Sequence, residues 1–417
     1  MDLTPLRDLR DFRLLFISGS ITRLGSMMTY VAIPFQVAIL TDSFIAVGLI
    51  GLAELVPLVF FGLFGGSLSD RLDRRRMVLI AEGAALLCSV GLLINSLVPS
   101  PSLMILYVIA MLFAALDGLQ RPSLDAIFPA VVPHDRLSAA SAVNSTSGTA
   151  AFLIGPAIGG LLLAGIGPSA VYAIDVLTFI VSILLLTRLR SVSTANEKHE
   201  GSVFSHIGDG LRYARGRRDI LGTYAIDLIA MAFAFPYALF PFLAQSYDAP
   251  WSLGLLYSAA AVGSLIFAAS SGWTSRVHHH GRMIVLAAMC WGAAIGLVAL
   301  AGSVWIALGL LVVAGYFDML SGHFRGLMWN QTIPDEVRGR MAGLELISYS
   351  VGPTLGQARA GFAAQRIGLG GSFATGGALC VVGVGIAAVA LPALWRFDTR
   401  TDPNFALVRA QRAETNS

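Results

Sequence analysis

The residues best suited to chemistry in this 417-residue chain are charged side chains that lie inside long apolar stretches. A charge at the centre of a bilayer costs about 2.5–3.5 kcal/mol on insertion scales, so such residues generally line a cavity or pair with another charge. Proton transfer needs a carboxyl whose pKa is raised by burial and lowered again by a nearby cation. The candidates for proton coupling or for lining a central cavity are Arg23, Glu54, Asp117, Arg121, Asp227, Asp318 and Glu345.

Glu54 and Asp117 fit a proton carrier best, because they lie deepest in their segment or stand next to an arginine. Asp117 and Arg121 are four residues apart, which places them on one helix face where they can pair. Arg23 and Glu54 are expected to pair across the first two segments. For any one residue, an ion pair that only holds two helices together explains the charge equally well. Three further charges are expected to be structural residues at segment ends: Asp125, Asp175 and Arg359.

The composition predicts an all-α membrane protein. Hydrophobic residues make up 56% of the chain and charged residues 13%, with a mean hydropathy of +0.74, whereas soluble domains carry about 25% charged residues. A helical span needs about 20 apolar residues, and twelve stretches of that kind are present. We expect transmembrane helices at 12–39, 44–68, 77–98, 102–121, 139–164, 169–188, 220–244, 251–273, 283–301, 303–324, 341–363 and 372–395.

Arginine is distributed unevenly between the connections. Of the 28 Lys and Arg residues, 23 lie in connections on one side of the predicted membrane and only Arg366 lies on the other. By the positive-inside rule, the arginine-rich connections and both termini are cytoplasmic. We therefore expect a multi-pass protein of a bacterial cytoplasmic (inner) membrane.

The spans divide into two similar halves. The distance from Asp117 to Pro133 in the first half equals that from Asp318 to Pro334 in the second, which indicates a parallel repeat with its functional site between the halves. We expect a six-helix bundle at 1–189, a cytoplasmic linker at 190–218, a second six-helix bundle at 219–397 and a disordered tail at 398–417. An amphipathic helix in the linker is predicted from Phe204, Ile207, Leu211 and Tyr213.

A dense group of charges, GSLSDRLDRRR, separates the second and third spans. Topogenic arginines explain its basic residues but not Gly66 and Asp70 at their spacing. The pattern of Gly66, Asp70, Arg71, Arg74 and Arg75 resembles the loop signature of the major facilitator superfamily of transporters. That resemblance implies a latch between the two halves on the cytoplasmic side, which breaks when the carrier opens inward.

The fifth span carries G-P-x-x-G-G, formed by Gly155, Pro156, Gly159 and Gly160. Small residues four apart let helix backbones approach closely, and proline bends the helix. The stretch resembles the motif of the proton-coupled exporters of the superfamily, which implies export. Helix packing without directional meaning remains the alternative.

No pattern indicates an enzyme, a cofactor, a metal site or a nucleic-acid partner. Cys88, Cys290 and Cys380 lie in apolar segments without metal-ligand spacing, and His278 to His280 are adjacent loop residues that cannot converge on one ion. We expect the partners to be a small-molecule substrate, protons and the lipid bilayer, and the protein to be a monomer.

Three longer segments resemble one branch of the superfamily, which holds the enterobactin exporter and relatives of macrolide and tetracycline efflux pumps. They are the opening segment with Arg23, the segment RPSLDAIFPAVVPHDRLSAASAVNS and the segment YAIDVLTFIVS with Asp175. The resemblance implies a twelve-span, proton-coupled antiporter that exports small amphipathic molecules such as drugs by alternating access. The alternatives are a dedicated siderophore exporter and a membrane sensor or scaffold that does not transport.

Overall fold

The computed structural model describes residues 2–69, 73–190 and 212–415, and these ranges contain helices and no strand. Apolar stretches form helices because a backbone without water must satisfy its hydrogen bonds within the segment. The helices are α1 (Thr4–Asp8), α2 (Arg10–Thr41), α3 (Phe44–Ser69), α4 (Arg74–Leu97), α5 (Leu103–Val131), α6 (Leu137–Gly165), α7 (Pro168–Leu186), α8 (Arg218–Ala234), α9 (Phe240–Ser246), α10 (Leu253–Ser270), α11 (His280–Leu297), α12 (Val304–Thr332), α13 (Asp335–Ala390), α14 (Pro392–Trp395) and α15 (Pro403–Thr415).

The described residues contain 11 helical segments that are long and apolar enough to cross a membrane, and the last of them counts twice. It runs from Ser350 to Ala390, 41 residues, or about 60 Å at 1.5 Å per residue, against about 30 Å of hydrocarbon. Gly368 interrupts it with φ of 77°. Ser372 Oγ donates to the Ala360 carbonyl at 2.9 Å, so the chain reverses at Gly368. The predicted count of twelve spans agrees with the structure.

Two helices are longer than hydropathy predicts. The fourth and tenth spans were expected to end at residues 121 and 324, but α5 continues to Val131 and α12 to Thr332. Tertiary packing stabilises the additional turns. In α5, Ile127 is buried in a cluster with Leu15 and Val78, and in α12, Met328 is fully buried.

The seventh predicted span, 220–244, is not one helix. It consists of α8, a short 3₁₀ turn at Tyr237–Leu239 and α9. Phe235 has φ of −80° and ψ of 110°, because the ring of Pro236 disfavours the helical conformation for the residue before it.

The chain divides into two compact units. The first comprises Met1–Glu200 with Phe240–Ser258, and the second comprises Gly201–Leu239 with Ala259–Ser417. The segment 240–258 was expected in the second bundle. It groups with the first because Ser258 Oγ donates to the Leu153 carbonyl at 2.7 Å and because Gly254 packs on the backbone of α6.

The C-terminal tail, expected to be disordered, contains helix α15. Asp402 Oδ1 accepts a hydrogen bond from the Phe405 N–H at 2.8 Å, which satisfies one of the free donors at a helix start. Val408 is buried on the inner face of this helix. The predicted linker helix lies outside the described residues, except for Tyr213, which stands in a short helical turn at 212–216.

Candidate functional site

A buried network of hydrogen bonds in the first unit centres on Glu82 of α4, a residue that the sequence did not single out. Glu82 is 5% exposed. Gln120 Nε2 of α5 donates to its Oε1 at 2.8 Å, and Ser182 Oγ of α7 lies 2.7 Å from its Oε2. Ser182 Oγ is also 2.7 Å from Ser18 Oγ of α2. The carboxyl group thus joins α4 to α5 and α7 directly and to α2 through Ser182, and its hydrogen-bond partners in the described ranges are neutral.

Asp175 is a second buried acid, and the expectation that it ends a span was wrong. It lies within α7 and is completely buried. Ser89 Oγ of α4 donates to its Oδ2 at 2.7 Å. Gly25 of α2 makes room for it, since a Cβ at Gly25 would lie 2.7 Å from Asp175 Oδ1. Of the other two expected end-of-span charges, Asp125 lies inside the longer α5, and Arg359 donates to the Ser372 carbonyl beside the Gly368 turn.

Arg23 does not pair with Glu54 as expected. Its Nη2 donates to Asn144 Oδ1 of α6 at 2.7 Å, and its Nε donates to the Gly19 carbonyl at 3.0 Å. Asn144 was missed by the sequence analysis, although the polar run NSTSGT marks its place in the fifth span. Within the described chain, Glu54 of α3 is half-buried and makes no hydrogen bond or ion pair.

Asp117, Arg121 and Asp125 follow one another at four-residue spacing on α5, and all three side chains are exposed. The attraction between Asp117 and Arg121 is present, but the described residues show no ion pair between them within 4.0 Å. The face of α5 that carries these charges is therefore open, while the adjacent Gln120 points to Glu82.

The second unit contains a buried ion pair between Asp227 of α8 and Arg325 of α12, with side chains 3% and 5% exposed. Ser348 Oγ of α13 donates to the other oxygen of Asp227 at 2.9 Å. Asp318 stands on α12 about two turns before Arg325 and feels the charges of both partners. Glu345 is half-buried on α13. Asp227 and Asp318 thus belong to one charged cluster.

The glycines of the fifth-span motif lie at helix contacts. A Cβ at Gly155 would be 2.5 Å from Met27 Cβ, and one at Gly159 would be 3.0 Å from Met28 Cα, so both glycines face α2. Gly160 faces α10 instead, where a Cβ would lie 2.2 Å from the Gly254 nitrogen. Pro156 lies in the same helix and is buried.

The loop signature is described in part. Gly66 lies in α3, whereas Asp70 and Arg71 are outside the described residues. Arg74 begins α4. Arg75 binds the carboxyl end of α7, where its Nε donates to the Leu186 carbonyl at 3.2 Å and its Nη2 to the Thr187 carbonyl at 2.5 Å. A cation at a helix C-terminus is favoured by the helix dipole.

Asp73, within the same loop, caps α4 by accepting a hydrogen bond from the Arg76 N–H at 3.0 Å.

A metal site is not evident, since the described residues hold no group of three or more His, Cys, Asp or Glu placed to bind an ion. His279 lies 3.6 Å from Asp398 in the C-terminal segment. That carboxylate accepts hydrogen bonds from Arg400, which hold its pKa well below its usual range.

Buried acids within membrane-length helices, a doubled six-span pattern and glycine-mediated helix contacts are features of a carrier. Residues 1–408 match the family described as transmembrane secretion effectors. The chain belongs to this family of the major facilitator superfamily. Its members are transporters and not enzymes, and the chain is a multi-pass integral membrane protein.

Similar proteins cover nearly the whole chain. The enterobactin exporter EntS of Escherichia coli O127:H6 is 29% identical over 391 residues, which are 92% of each chain. EntS of Salmonella typhimurium LT2 is 28% identical over 397 residues, which cover 94% of this chain and 93% of the relative.

Solved transporters share the fold. The nucleoside transporter NupG matches with a TM-score of 0.67 and 14% identity, over 95% of this chain and 100% of that one. A bacterial homologue of the human lysosomal transporter Spinster matches with a TM-score of 0.70 and 14% identity, over 93% and 96%. At this identity the similarity concerns the fold alone.

Proposed function

We propose that this chain is a secondary active transporter that exports a small amphipathic molecule in exchange for protons, by alternating access. The observation that carries the proposal is the set of charged side chains enclosed within the helices of a major facilitator, above all the Asp227–Arg325 pair. Such charges are costly in a membrane and generally serve substrate or proton movement.

Glu54 and Asp117 are the proposed proton carriers. Glu54 is half-buried without an ion pair in the described chain, and Asp117 lies on the open face of α5. Each can exchange a proton without first breaking a salt bridge. Arg121, one turn from Asp117, would favour release of the proton by attracting the carboxylate, and Arg23 is the cation proposed for the same task near α6.

The charged cluster of the second unit supports the proposal in a different way. A proton on Asp227 would remove its attraction for Arg325 and weaken the contact between α8 and α12. Asp318 of α12 feels the charges of both partners, and Glu345 stands on α13 one turn before Ser348, so we propose that both take part in the same response. Proton binding would thereby change helix contacts as well as charge.

Two motifs bear on direction and on the conformational cycle. We propose that Gly155, Pro156, Gly159 and Gly160 support export, as the resemblance to proton-coupled exporters implies. The loop of Gly66, Asp70, Arg71, Arg74 and Arg75 is proposed as the latch between the two six-helix halves. We propose that both termini lie on the cytoplasmic side of a bacterial inner membrane, which would place this loop on the same side. The carrier is proposed to act as a monomer.

Siderophore export is the second candidate function, and the relatives named enterobactin exporters favour it. The two candidates differ in substrate breadth. A dedicated siderophore exporter would restore siderophore secretion to a strain lacking its own exporter and would give no resistance to drugs. An exporter of varied amphipathic molecules would give resistance to several of them in a strain lacking its own efflux pumps.

Proton coupling is tested in sealed vesicles with an imposed pH gradient, using each substrate that the two strains identify. We expect transport to follow the gradient and to collapse when a protonophore abolishes it. Transport that is indifferent to the gradient contradicts coupling while leaving the fold unaffected. Absence of transport for every candidate substrate would favour a sensor or scaffold.

A further inference from the structure

Helices α4 and α7 are joined by two acid–serine hydrogen bonds in a reciprocal arrangement. Glu82 of α4 is bonded to Ser182 of α7 at 2.7 Å, and Asp175 of α7 is bonded to Ser89 of α4 at 2.7 Å. We call these two hydrogen bonds the Glu82 level and the Asp175 level. On each helix the residues of the two levels are seven positions apart, or about two turns and 10 Å. The two levels match in chemistry, so they offer an internal comparison.

The Glu82 level differs from the Asp175 level because its serine, Ser182, is hydrogen-bonded to a second serine, Ser18. Ser182 Oγ lies 2.7 Å from both Glu82 Oε2 and Ser18 Oγ, so three side chains form an unbroken line from α4 through α7 to α2. Glu82, Ser182 and Ser18 are 5%, 0% and 2% exposed. The line is closed to bulk water along its length and is held at its acidic end by Gln120.

The same atom positions satisfy this line in both protonation states of Glu82. A hydroxyl has one donor proton and two acceptor lone pairs. With the carboxylate ionised, Ser18 donates to Ser182 and Ser182 donates to Glu82. With a proton on Oε2, Glu82 donates to Ser182 and Ser182 donates to Ser18. Gain of a proton therefore reverses two hydroxyl groups and requires no repacking of helices.

We propose that Glu82 is a proton-binding residue of the transport cycle and that Ser182, hydrogen-bonded in turn to Ser18 of α2, positions its proton. The inference rests on the proposed proton coupling and deepens it. One proton from the aqueous phase forms the O–H bond of Glu82, and the same bond breaks when the proton leaves. Glu82 would act in addition to Glu54 and Asp117.

None of the charged groups described on the helices around Glu82 forms an ion pair with it, so its carboxyl group can gain and lose a proton. Asp175 of α7 is a like charge that acts on it from the other level. Arg23 of α2 is bonded to Asn144, and the charges of α5 are on its exposed side. The described residues place no salt bridge on Glu82 itself, whereas its two oxygens are both hydrogen-bonded.

The test uses infrared spectroscopy of the purified full-length protein in lipid vesicles, titrated with protons alone. The variant Glu82→Gln keeps both contacts, because its amide oxygen accepts from Gln120 and its amide nitrogen donates to Ser182. We expect the wild type to show a buried-carboxyl band that titrates with pH and the variant to lack it. Identical titrations of the two proteins would overturn the proposal, since a purely structural Glu82 stays in one state.

Two serine variants test the positioning role of Ser182 without removing either acid. Ser182→Ala should shift both the frequency and the titration midpoint of the Glu82 band, and Ser89→Ala, at the reciprocal level, should leave that band in place. Equal effects of the two variants would overturn the role of Ser182. These variants also serve if Glu82→Gln does not insert stably.

Failure of the inference is distinguishable from failure of proton coupling. Wild-type vesicle transport that ignores a pH gradient contradicts coupling itself. If wild-type transport follows the gradient, we expect Glu82→Gln to reduce gradient-driven transport by at least about tenfold, the equivalent of about 1.4 kcal/mol. Coupled transport that is unchanged in the variant overturns only the role of Glu82.

Discussion

Asp227 and Arg325 face each other across α8 and α12 with nearly all water excluded from both side chains. Removing one partner of a buried pair is expensive because the remaining charge stays in a medium of low dielectric constant. Ser348 adds a third helix to the contact. The pair therefore connects three helices of the second unit, and its integrity is measurable apart from transport.

The variant Asp227→Asn should destabilise the protein by about 3–5 kcal/mol, the range for a broken buried pair, although asparagine can still accept from Ser348. Thermal unfolding in detergent, followed by tryptophan fluorescence, measures the loss. The double variant Asp227→Asn with Arg325→Gln removes both charges and should recover most of the stability. A double variant as unstable as the sum of its single variants would show that the ionic contact is unimportant.

The contact between Gly160 and Gly254 should not tolerate any side chain. A Cβ at Gly160 would lie 2.2 Å from the Gly254 nitrogen, and one at Gly254 would lie 2.3 Å from the Pro156 carbonyl oxygen. Both neighbours are backbone atoms, so α6 and α10 must separate. We expect Gly160→Ala to lower the melting temperature by several degrees, as a loss of about 1–3 kcal/mol from overpacking implies.

Gly165 provides the control for this experiment, because a Cβ there would meet nothing within 4 Å. Gly165→Ala should leave the melting temperature unchanged within about 0.5 kcal/mol of free energy, as for an unconstrained surface substitution. Equal effects at positions 160 and 165 would contradict the close packing of the two helices.

The turn at Gly368 should require glycine for its backbone conformation rather than for space. Its φ is 77°, while a Cβ would meet nothing within 4 Å. With ψ of 168°, this backbone conformation is essentially confined to glycine and costs a residue with a side chain about 1–3 kcal/mol, so Gly368→Ala should destabilise the protein by that amount. Gly385→Ala, in a helical part of α13 that is equally open, should be neutral or stabilising by up to about 1 kcal/mol.

Asp398 should make stability depend on pH outside the membrane. Hydrogen bonds from the Arg400 side chain, then from its backbone N–H, lower the pKa of Asp398, and His279 adds attraction. A depressed native pKa contributes stability above the ordinary value of about 3.9 and loses it as pH falls through the native value. Asp398→Asn should therefore unfold at a lower temperature than the wild type at pH near 7, and the difference should shrink in strong acid.

Asp135, an exposed acid whose nearest arginine atom is 3.9 Å away, supplies the comparison for Asp398. The variant Asp135→Asn should match the wild type at both pH values, because exposed pairs contribute little. A difference between wild type and Asp398→Asn that persists unchanged in strong acid would show that the side chain acts through its shape and not its charge.

The sequence predicted the spans well because hydropathy integrates the preference of about 20 residues for lipid, and single polar residues hardly alter that sum. It did less well at helix ends. The last turns of α5 depend on burial of Ile127 in a cluster with residues far away in the chain. Pro236 alone was enough to predict the break at Phe235. Hydropathy does not show it, because the residues on both sides of the break are apolar.

The contacts of the charged residues were harder to predict from the sequence than the spans. Local spacing placed Asp117 and Arg121 on one helix face correctly, yet it could not show that they do not touch. Arg23 is bonded to Asn144, 121 positions along the chain, because α2 and α6 pack side by side. Glu82 stands in an apolar part of the third span, and its nearest arginine, Arg76, is six positions earlier and not one helical turn away. The criterion of an opposite charge one turn away therefore did not select it.

The reversal at Gly368 also has a consequence for biogenesis. The last two spans meet at a single residue, so almost no polar connection has to be carried across the bilayer when they insert. Arg366 is the one charged side chain near the tip, and it is exposed. The two helices can therefore enter the membrane together as a preformed hairpin, in which the second span follows the first without a separate translocation event.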